Sequence, residues 1–278
     1  MRYLLKNAKF FSQGVFHLAD VFLSDGKIVS IGDGVSPSDD TIVIDISNMV
    51  LFPGFVDVHV HLREPGFFYK ETIRSGTLAA AHGGFAHVAA MPNLNPVPDC
   101  VESLALQRAL IEKDALVHVH PYGAITVGEK GEQLADLAGM APDVIAFSDD
   151  GRGVQDSGMM RRTMDYAKQF DRVVMCHCQD EGLVGAGQVN EGECSTRLGL
   201  LGWPAEGEEL EIMRDIALCR LTGCHFHAQH VTTARGLDLI RAAKAEGLPV
   251  TCEVTPHHLL LDDSMIGEDY DKNYKVNP

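Results

Sequence analysis

Disulfide frameworks, basic stretches and long apolar runs are all missing from this sequence. Its seven cysteines are odd in number and no two stand as CxxC. That excludes a paired disulfide scaffold and leaves reduced, cytosolic thiols as the simplest reading. Lysine and arginine total 23 against 39 acidic residues, for a formal net charge of −16. So acidic a body repels phosphate backbones, which excludes nucleic acid as a partner. No apolar run approaches the roughly 20 residues needed to cross a bilayer, which argues against a membrane span. The opening MRYLLKNAKFFSQG contains no uninterrupted apolar stretch, so no secretory signal is expected and the chain reads as cytoplasmic. What is present, 278 residues at 45% hydrophobic, is enough for one large domain or two unequal ones.

The first fifty residues differ from the rest. ADVFLSDGKIVSIGDG alternates apolar and polar residues about Asp25-Gly26, a strong hairpin signal. TIVIDISNMVLFPG adds another β segment. Residues 1–52 are therefore expected to form a small β-sandwich segment ended by Pro53-Gly54, and residues 53–278 a second, larger domain. There, short apolar runs near 55–62, 87–92, 117–126, 144–148, 172–178, 225–231 and 249–255 alternate with helix-like stretches. One helix is expected from Glu206 to Leu221, with Leu210, Met213, Ala217 and Leu221 as its apolar stripe. A second is expected from Thr233 to Ala245. Strand–helix alternation implies a parallel sheet. Seven strands are one short of an α/β (β/α)8 barrel, so the fold expected is an incomplete barrel of that type.

Histidines mark the ends of several of these strands. In such a barrel the active site lies at the C-terminal ends of the strands, so a histidine's place along its strand decides its use. His59 and His61 close the first run and share one face. His177, in VVMCHCQD, and His230, before VTT, also stand late. His118 and His120 stand early in their run, and His225 and His227 also read as structural. Each single histidine alone is more often a packed residue than a ligand. Together, His59, His61, His177 and His230 end three strands and point to a shared metal site. Four neutral imidazoles leave two divalent ions short of negative charge, so a carboxylate is expected between them. Asp149 and Asp150 end the fourth strand, and neighbours on a strand point opposite ways, so at most one faces inward. Two ions about 3.5–4 Å apart with a bridging oxygen ligand form a recurring hydrolytic arrangement. Imidazole and carboxylate suit zinc, with cobalt and manganese open. Cys176 and Cys178 flank His177 on the opposite face and belong in the helix layer as soft hydrophobes. His257 and His258 receive no role.

The stretch FPGFVDVHVHLREPG resembles the signature of the amidohydrolase superfamily and, more narrowly, of class I (long-chain, bacterial type) dihydroorotases. KETIRSGTLAAAHGGF, MPNLNPVPD, PYGAIT, FSDDGRGVQD, HVTT, EVTPHHLL and the closing KVNP extend the resemblance over nearly the whole chain. It implies a zinc enzyme with two Zn2+ per subunit: His59 and His61 on one ion, His177 and His230 on the other, and Asp150, rather than Asp149, bridging. It also implies that His61, Arg63, Asn93 and Asn277 bind substrate. Relatives such as hydantoinases and allantoinases usually bridge their metals with a carboxylated lysine on strand four. VIAFSDD contains no lysine, which favours the lysine-free dihydroorotase branch.

The activity implied is the reversible cyclisation of N-carbamoyl-L-aspartate to dihydroorotate plus water, a step of pyrimidine (UMP) biosynthesis, through a zinc-bridging hydroxide. Arg63 offers a planar fork for the substrate carboxylate. The family's catalytic aspartate, in a DHAPH-like segment of strand eight, has no counterpart before Pro278. The C-terminal part of the barrel is thus expected to be missing, and this chain by itself to be catalytically impaired. Alternatives are another cyclic amidohydrolase, dihydropyrimidinase or allantoinase, and a non-catalytic dihydroorotase-like subunit. The partners in view are the small-molecule substrate, a second copy in a homodimer, and aspartate transcarbamoylase.

Overall fold

The computed structural model describes residues 1–32 and 36–277. Asp33 and Gly34, at the end of the hairpin segment, and Pro278, at the end of KVNP, lie outside the described residues. The chain divides into two compact units, Met1–Phe55 and Val56–Pro278.

In the first unit, β1 (Arg2–Ser12), β2 (Val15–Ser24), β3 (Lys27–Ile31), β4 (Thr41–Asp45) and β5 (Val50–Leu51) join one sheet in the order β3-β2-β1-β4, with β5 also on β1. A second layer is not formed by the described residues of this unit. The expected hairpin joins β2 to β3, and Asp25 and Gly26 both take positive φ, 51° and 76°. That is the turn in which glycine is favoured, because no Cβ opposes it. The long β1 went unread in the sequence because KNAKFFSQG breaks its alternation.

The second unit runs β6 (Phe55–Val60), α1 (Ile73–His82), β7 (Phe85–Ala90), α2 (Val101–Asp114), β8 (His118–Pro121), α3 (Leu137–Met140), β9 (Ala146–Phe147), α4 (Ser157–Gln169), β10 (Val173–Cys176), α5 (Glu181–Val184), β11 (Val189–Asn190), α6 (Glu193–Leu198), β12 (Gly202–Trp203), α7 (Glu206–Thr222), β13 (Phe226–Ala228), α8 (Ala234–Ala245), β14 (Val250–Cys252) and α9 (Pro256–Leu260). Strands β6-β7-β8 form one sheet and β14-β13-β10-β9 another, and a parallel bridge from Gly123 to Phe147 continues one into the other. Seven strands therefore follow one another around an incomplete α/β barrel, each expected apolar run supplying one. The short parallel pair β11-β12 was not expected.

The side chains alternate as a pleated sheet requires. Ala89, Met91, Tyr122, Ala146 and Met175 pack together on one face, and Tyr122 Oη donates to Val58 O at 2.8 Å. On the other face Phe147, Val174, Phe226 and Val250 meet Met160 and Met164 of α4, Ile212, Ile216 and Cys219 of α7, and Ile240 of α8. Cys176 and Cys178 lie in this helix-side cluster. A side chain such as Phe226 contributes about 1.5–3 kcal/mol by leaving water. Among the described residues no helix is long and apolar enough to cross a membrane.

Helix α7 forms as expected but turns the other way. Leu210, Met213 and Leu221 are 45%, 47% and 61% exposed, whereas Glu208, Glu211 and Asp215 are 6%, 4% and 0% exposed. Apolar content is a poor guide where carboxylates hold the backbone amides of neighbouring loops, as they do here.

Candidate metal centre

Each candidate side chain owes its position to a strand end. His59 lies in β6 with His61 two residues on, Asp150 follows β9, His177 follows β10, and His230 lies just beyond β13. Asp150 is the hub. Its carboxylate has His59 Nε2 at 3.4 Å, His61 Nε2 at 3.4 Å, His230 Nε2 at 3.6 Å and His177 Nδ1 at 3.9 Å. The structure thus brings five of the expected residues together. Asp149, by contrast, turns to the backbone amides of Ile125 and Thr126, at 2.7 and 3.1 Å.

Two triads meet at Asp150: His59, His61, Asp150 and Asp150, His177, His230. In each, one ligand atom per residue lies within 4.8 Å of the others. The donor set fits a divalent cation. Asp150 Oδ1 is buried and has no hydrogen-bond partner, an expensive arrangement for a carboxylate oxygen unless charge is supplied. The facing nitrogens stand too far from the carboxylate for good hydrogen bonds but near enough to converge on an ion, and His177 Nδ1 and His230 Nε2 lie 2.9 Å apart. Both clusters are able to hold metal.

Charge follows the same geometry. Burial pushes the Asp150 carboxyl up, but His230, His59 and His61 outweigh it and hold Asp150 well below the usual carboxylate range. Burial lowers His61, and burial with His230 alongside holds His177 down at about 4. His59 is the exception. Burial disfavours its cation, yet Asp150 and Glu253 raise it to about 10.

Three of the ring nitrogens pointing away from Asp150 are also engaged. His59 Nδ1 meets Glu253 Oε1 at 2.5 Å, His61 Nδ1 meets Asn93 Oδ1 at 3.0 Å, and His177 Nε2 meets Gln179 Oε1 at 2.7 Å. Such outer partners fix the ring's orientation and proton. Asn93 also accepts from Arg63 at 3.2 Å and donates to Asp150 Oδ2 at 3.3 Å, so it ties three site residues together. Neighbouring Glu64 accepts from Ile73 N at 2.8 Å at the start of α1. Asn277 is exposed, and these bonds do not reach it.

Sequence reasoning missed Glu253 and Gln179. The available signal for Glu253 was its phase: it lies two residues beyond Thr251, which meets the inward-facing His225 and His227 at 2.9 and 2.8 Å. His118 and His120 gather elsewhere, around His87, whose Nδ1 is 2.9 Å from His120 Nε2. Among the described residues they enter no triad of ligands.

A parallel strand–helix barrel with HxH on its first strand and further histidines on later strand ends has the architecture of the amidohydrolase superfamily. A model of the family described as Dihydro-orotase-like matches residues 48–235. The chain belongs to that dihydroorotase-like family. It is 44% identical over 275 residues to a dihydroorotase of Fusobacterium nucleatum, covering 99% of this chain and 64% of that protein. It is 46% identical over 281 residues to one of Geobacillus sp., covering 100% and 65%. It therefore spans just under two thirds of the length of these relatives. Among solved structures, a D-hydantoinase (dihydropyrimidinase) from Thermus sp. superposes with a TM-score of 0.80 at 26% identity, over 99% of this chain and 60% of the other. An L-hydantoinase from Arthrobacter aurescens, at 0.78 and 20% identity over 93% and 59%, shares the fold.

Proposed function

We propose that this chain carries the metal- and substrate-binding part of a dihydroorotase, an enzyme that interconverts N-carbamoyl-L-aspartate and dihydroorotate plus water in pyrimidine synthesis. The observation that carries the reading is the convergence of His59, His61, His177 and His230 on Asp150. The dihydroorotase relatives support the choice of substrate. The proposed ligand assignment is His59 and His61 for one ion, His177 and His230 for a second, with Asp150 shared. Zinc is the ion this donor set suits. Two such ions supply Lewis acidity and an acidified water when bound.

The chain's own residues then do the following. Asp150 stays ionised at neutral pH because His230, His59 and His61 outweigh its burial. Glu253 orients His59, and Asn93 orients His61. Arg63, half-buried beside Asn93, presents a two-pronged donor to the carboxylate that lies outside the reacting amide. His61 completes that side of the substrate pocket, and Asn277 is proposed to approach it. The same proposal takes the protein as cytoplasmic, with homodimerisation and association with aspartate transcarbamoylase as the assemblies to test by sedimentation.

The carboxylate separates this reading from its nearest rivals, since hydantoin and allantoin carry none. Calorimetry on the zinc-loaded chain is expected to show dihydroorotate binding at least tenfold more tightly than hydantoin or allantoin. Replacing Arg63 removes a charge-assisted bond of about 1.5–3 kcal/mol, so Arg63→Ala should lower dihydroorotate affinity roughly 10- to 100-fold and leave hydantoin unchanged. Equal affinity for all three ligands would overturn the proposal.

A further inference from the structure

Helix α7 buries three carboxylates alongside Ile212, Ile216 and Cys219, and two of them grip loops that follow candidate ligands. Glu208 accepts from Thr232 N at 3.0 Å, Thr232 Oγ1 at 2.7 Å, Thr233 N at 2.9 Å and Thr233 Oγ1 at 2.8 Å. Thr232 and Thr233 stand two and three residues beyond His230, whose φ of 31° is unusual for a residue with a side chain. One turn along the helix, Glu211 accepts from Gln179 N at 2.9 Å, and Gln179 Oε1 is the partner of His177 Nε2. Glu211 also accepts from Gln155 Nε2 at 3.2 Å, and that amide donates to Gly153 O at 2.9 Å and Gln179 O at 2.8 Å. Arg214 donates to Val154 O at 2.7 Å and to Glu211 at 3.0 Å. The loop so held is the one that begins at Asp150.

One helix face therefore anchors the three loops that carry Asp150, His177 and His230. Among the described residues nothing comparable ties α7 to His59 or His61, whose outer partners are Glu253 and Asn93. Burying carboxylates is costly unless many donors meet them. Four protein donors converge on Glu208, and an amide in its place would offer one acceptor oxygen where two are used.

We infer that Glu208 and Glu211 are positioning residues for the Asp150–His177–His230 pocket, setting its metal affinity separately from that of the His59–His61–Asp150 pocket. The inference rests on the two-ion reading above and deepens it. Losing an outer partner of a metal site typically costs 10- to 100-fold in affinity.

The test compares Glu208→Gln, Glu211→Gln and the shorter-armed Glu208→Asp with wild type. Each chain is titrated with Co2+ and followed by visible absorption, with circular dichroism as the folding control. The expected result is a two-step titration in which Glu208→Gln weakens one step 10- to 100-fold and alters its spectrum, while the other step is unchanged. Glu208→Asp should recover part of the loss. Both steps weakening equally, or neither weakening, would overturn the inference. A second readout needs no metal: amide hydrogen exchange at Thr232 and Thr233 should quicken at least tenfold in metal-free Glu208→Gln, and at Gln179 in metal-free Glu211→Gln. Unchanged exchange in folded variants would overturn the inference too. Should wild type take up fewer than two Co2+, the two-ion reading falls, and the exchange rates alone decide whether α7 positions these loops. Where a glutamine variant fails to fold, Glu208→Asp carries the comparison, and wild-type affinity and exchange in that variant would count against the role.

Discussion

Adding Zn2+ to the metal-free chain at pH 7 is expected to release about one proton, and His59 is its source. Burial opposes the His59 cation, but Asp150 Oδ1 at 3.4 Å and Glu253 Oε1 at 2.5 Å outweigh it and raise the ring to about 10. A ligand imidazole must be neutral. Displacing a proton held from pH 7 to about 10 costs an incoming ion about 4 kcal/mol, roughly a thousandfold in apparent affinity. His61 and His177 are lowered, burial leading in both cases, so they are neutral at pH 7 and have no proton to give. Affinity in the His59–His61–Asp150 pocket should thus rise about tenfold per pH unit above 7 and level off near 10. In the metal-free chain the sign for stability is opposite. A folded value raised above 6.5 contributes stability that is fully present below pH 6.5 and is lost as pH rises through about 10. Burial raises Glu253 but His227 and His59 lower it to about 2, so its share is present above pH 4.5 and is lost as pH falls through about 2. Calorimetric titration in two buffers of unlike ionisation enthalpy counts the protons, and Glu253→Gln should reduce the count. No release from wild type at pH 7, or an unchanged count in Glu253→Gln, would refute the reasoning.

Two further outcomes concern packing. A Cβ added at Gly153 would lie 2.5 Å from Gln179 O and from Glu211 Oε2, so Gly153→Ala should cost about 1–3 kcal/mol by overpacking, read as a lowered urea midpoint at unchanged slope. Leu210, 45% exposed on the solvent side of α7, should tolerate Leu210→Ser within about 0.5 kcal/mol in the same assay.

The barrel was legible in the sequence because its strands are short, apolar and separated by helical stretches, and because strand-end histidines give way at once to polar loop residues. The turn at Asp25-Gly26 was equally plain, since few residues accept two successive positive φ values. Strand geometry allowed one inward carboxylate of the pair Asp149–Asp150, but only the resemblance said which. Other features had no local signature. Glu253 stands 194 positions from His59, and nothing in EVTPHH names its partner. On α7 the periodic apolar residues were assumed to face inward, although Glu208, Glu211 and Asp215 share a face at the same helical spacing. Hydrophobic pattern reports burial by the solvent effect alone and misses burial driven by hydrogen bonds to distant amides.

The sharing of a single carboxylate by two pockets has an electrostatic consequence. Filled with two dications, the cluster would hold four positive charges against Asp150 and Glu253, with Arg63 adding another at the rim. A chain whose formal charge is −16 would then enclose a small cationic hollow. Dicarboxylate solutes, repelled by the exterior, would find their well there, and simple anions at raised ionic strength should compete for it.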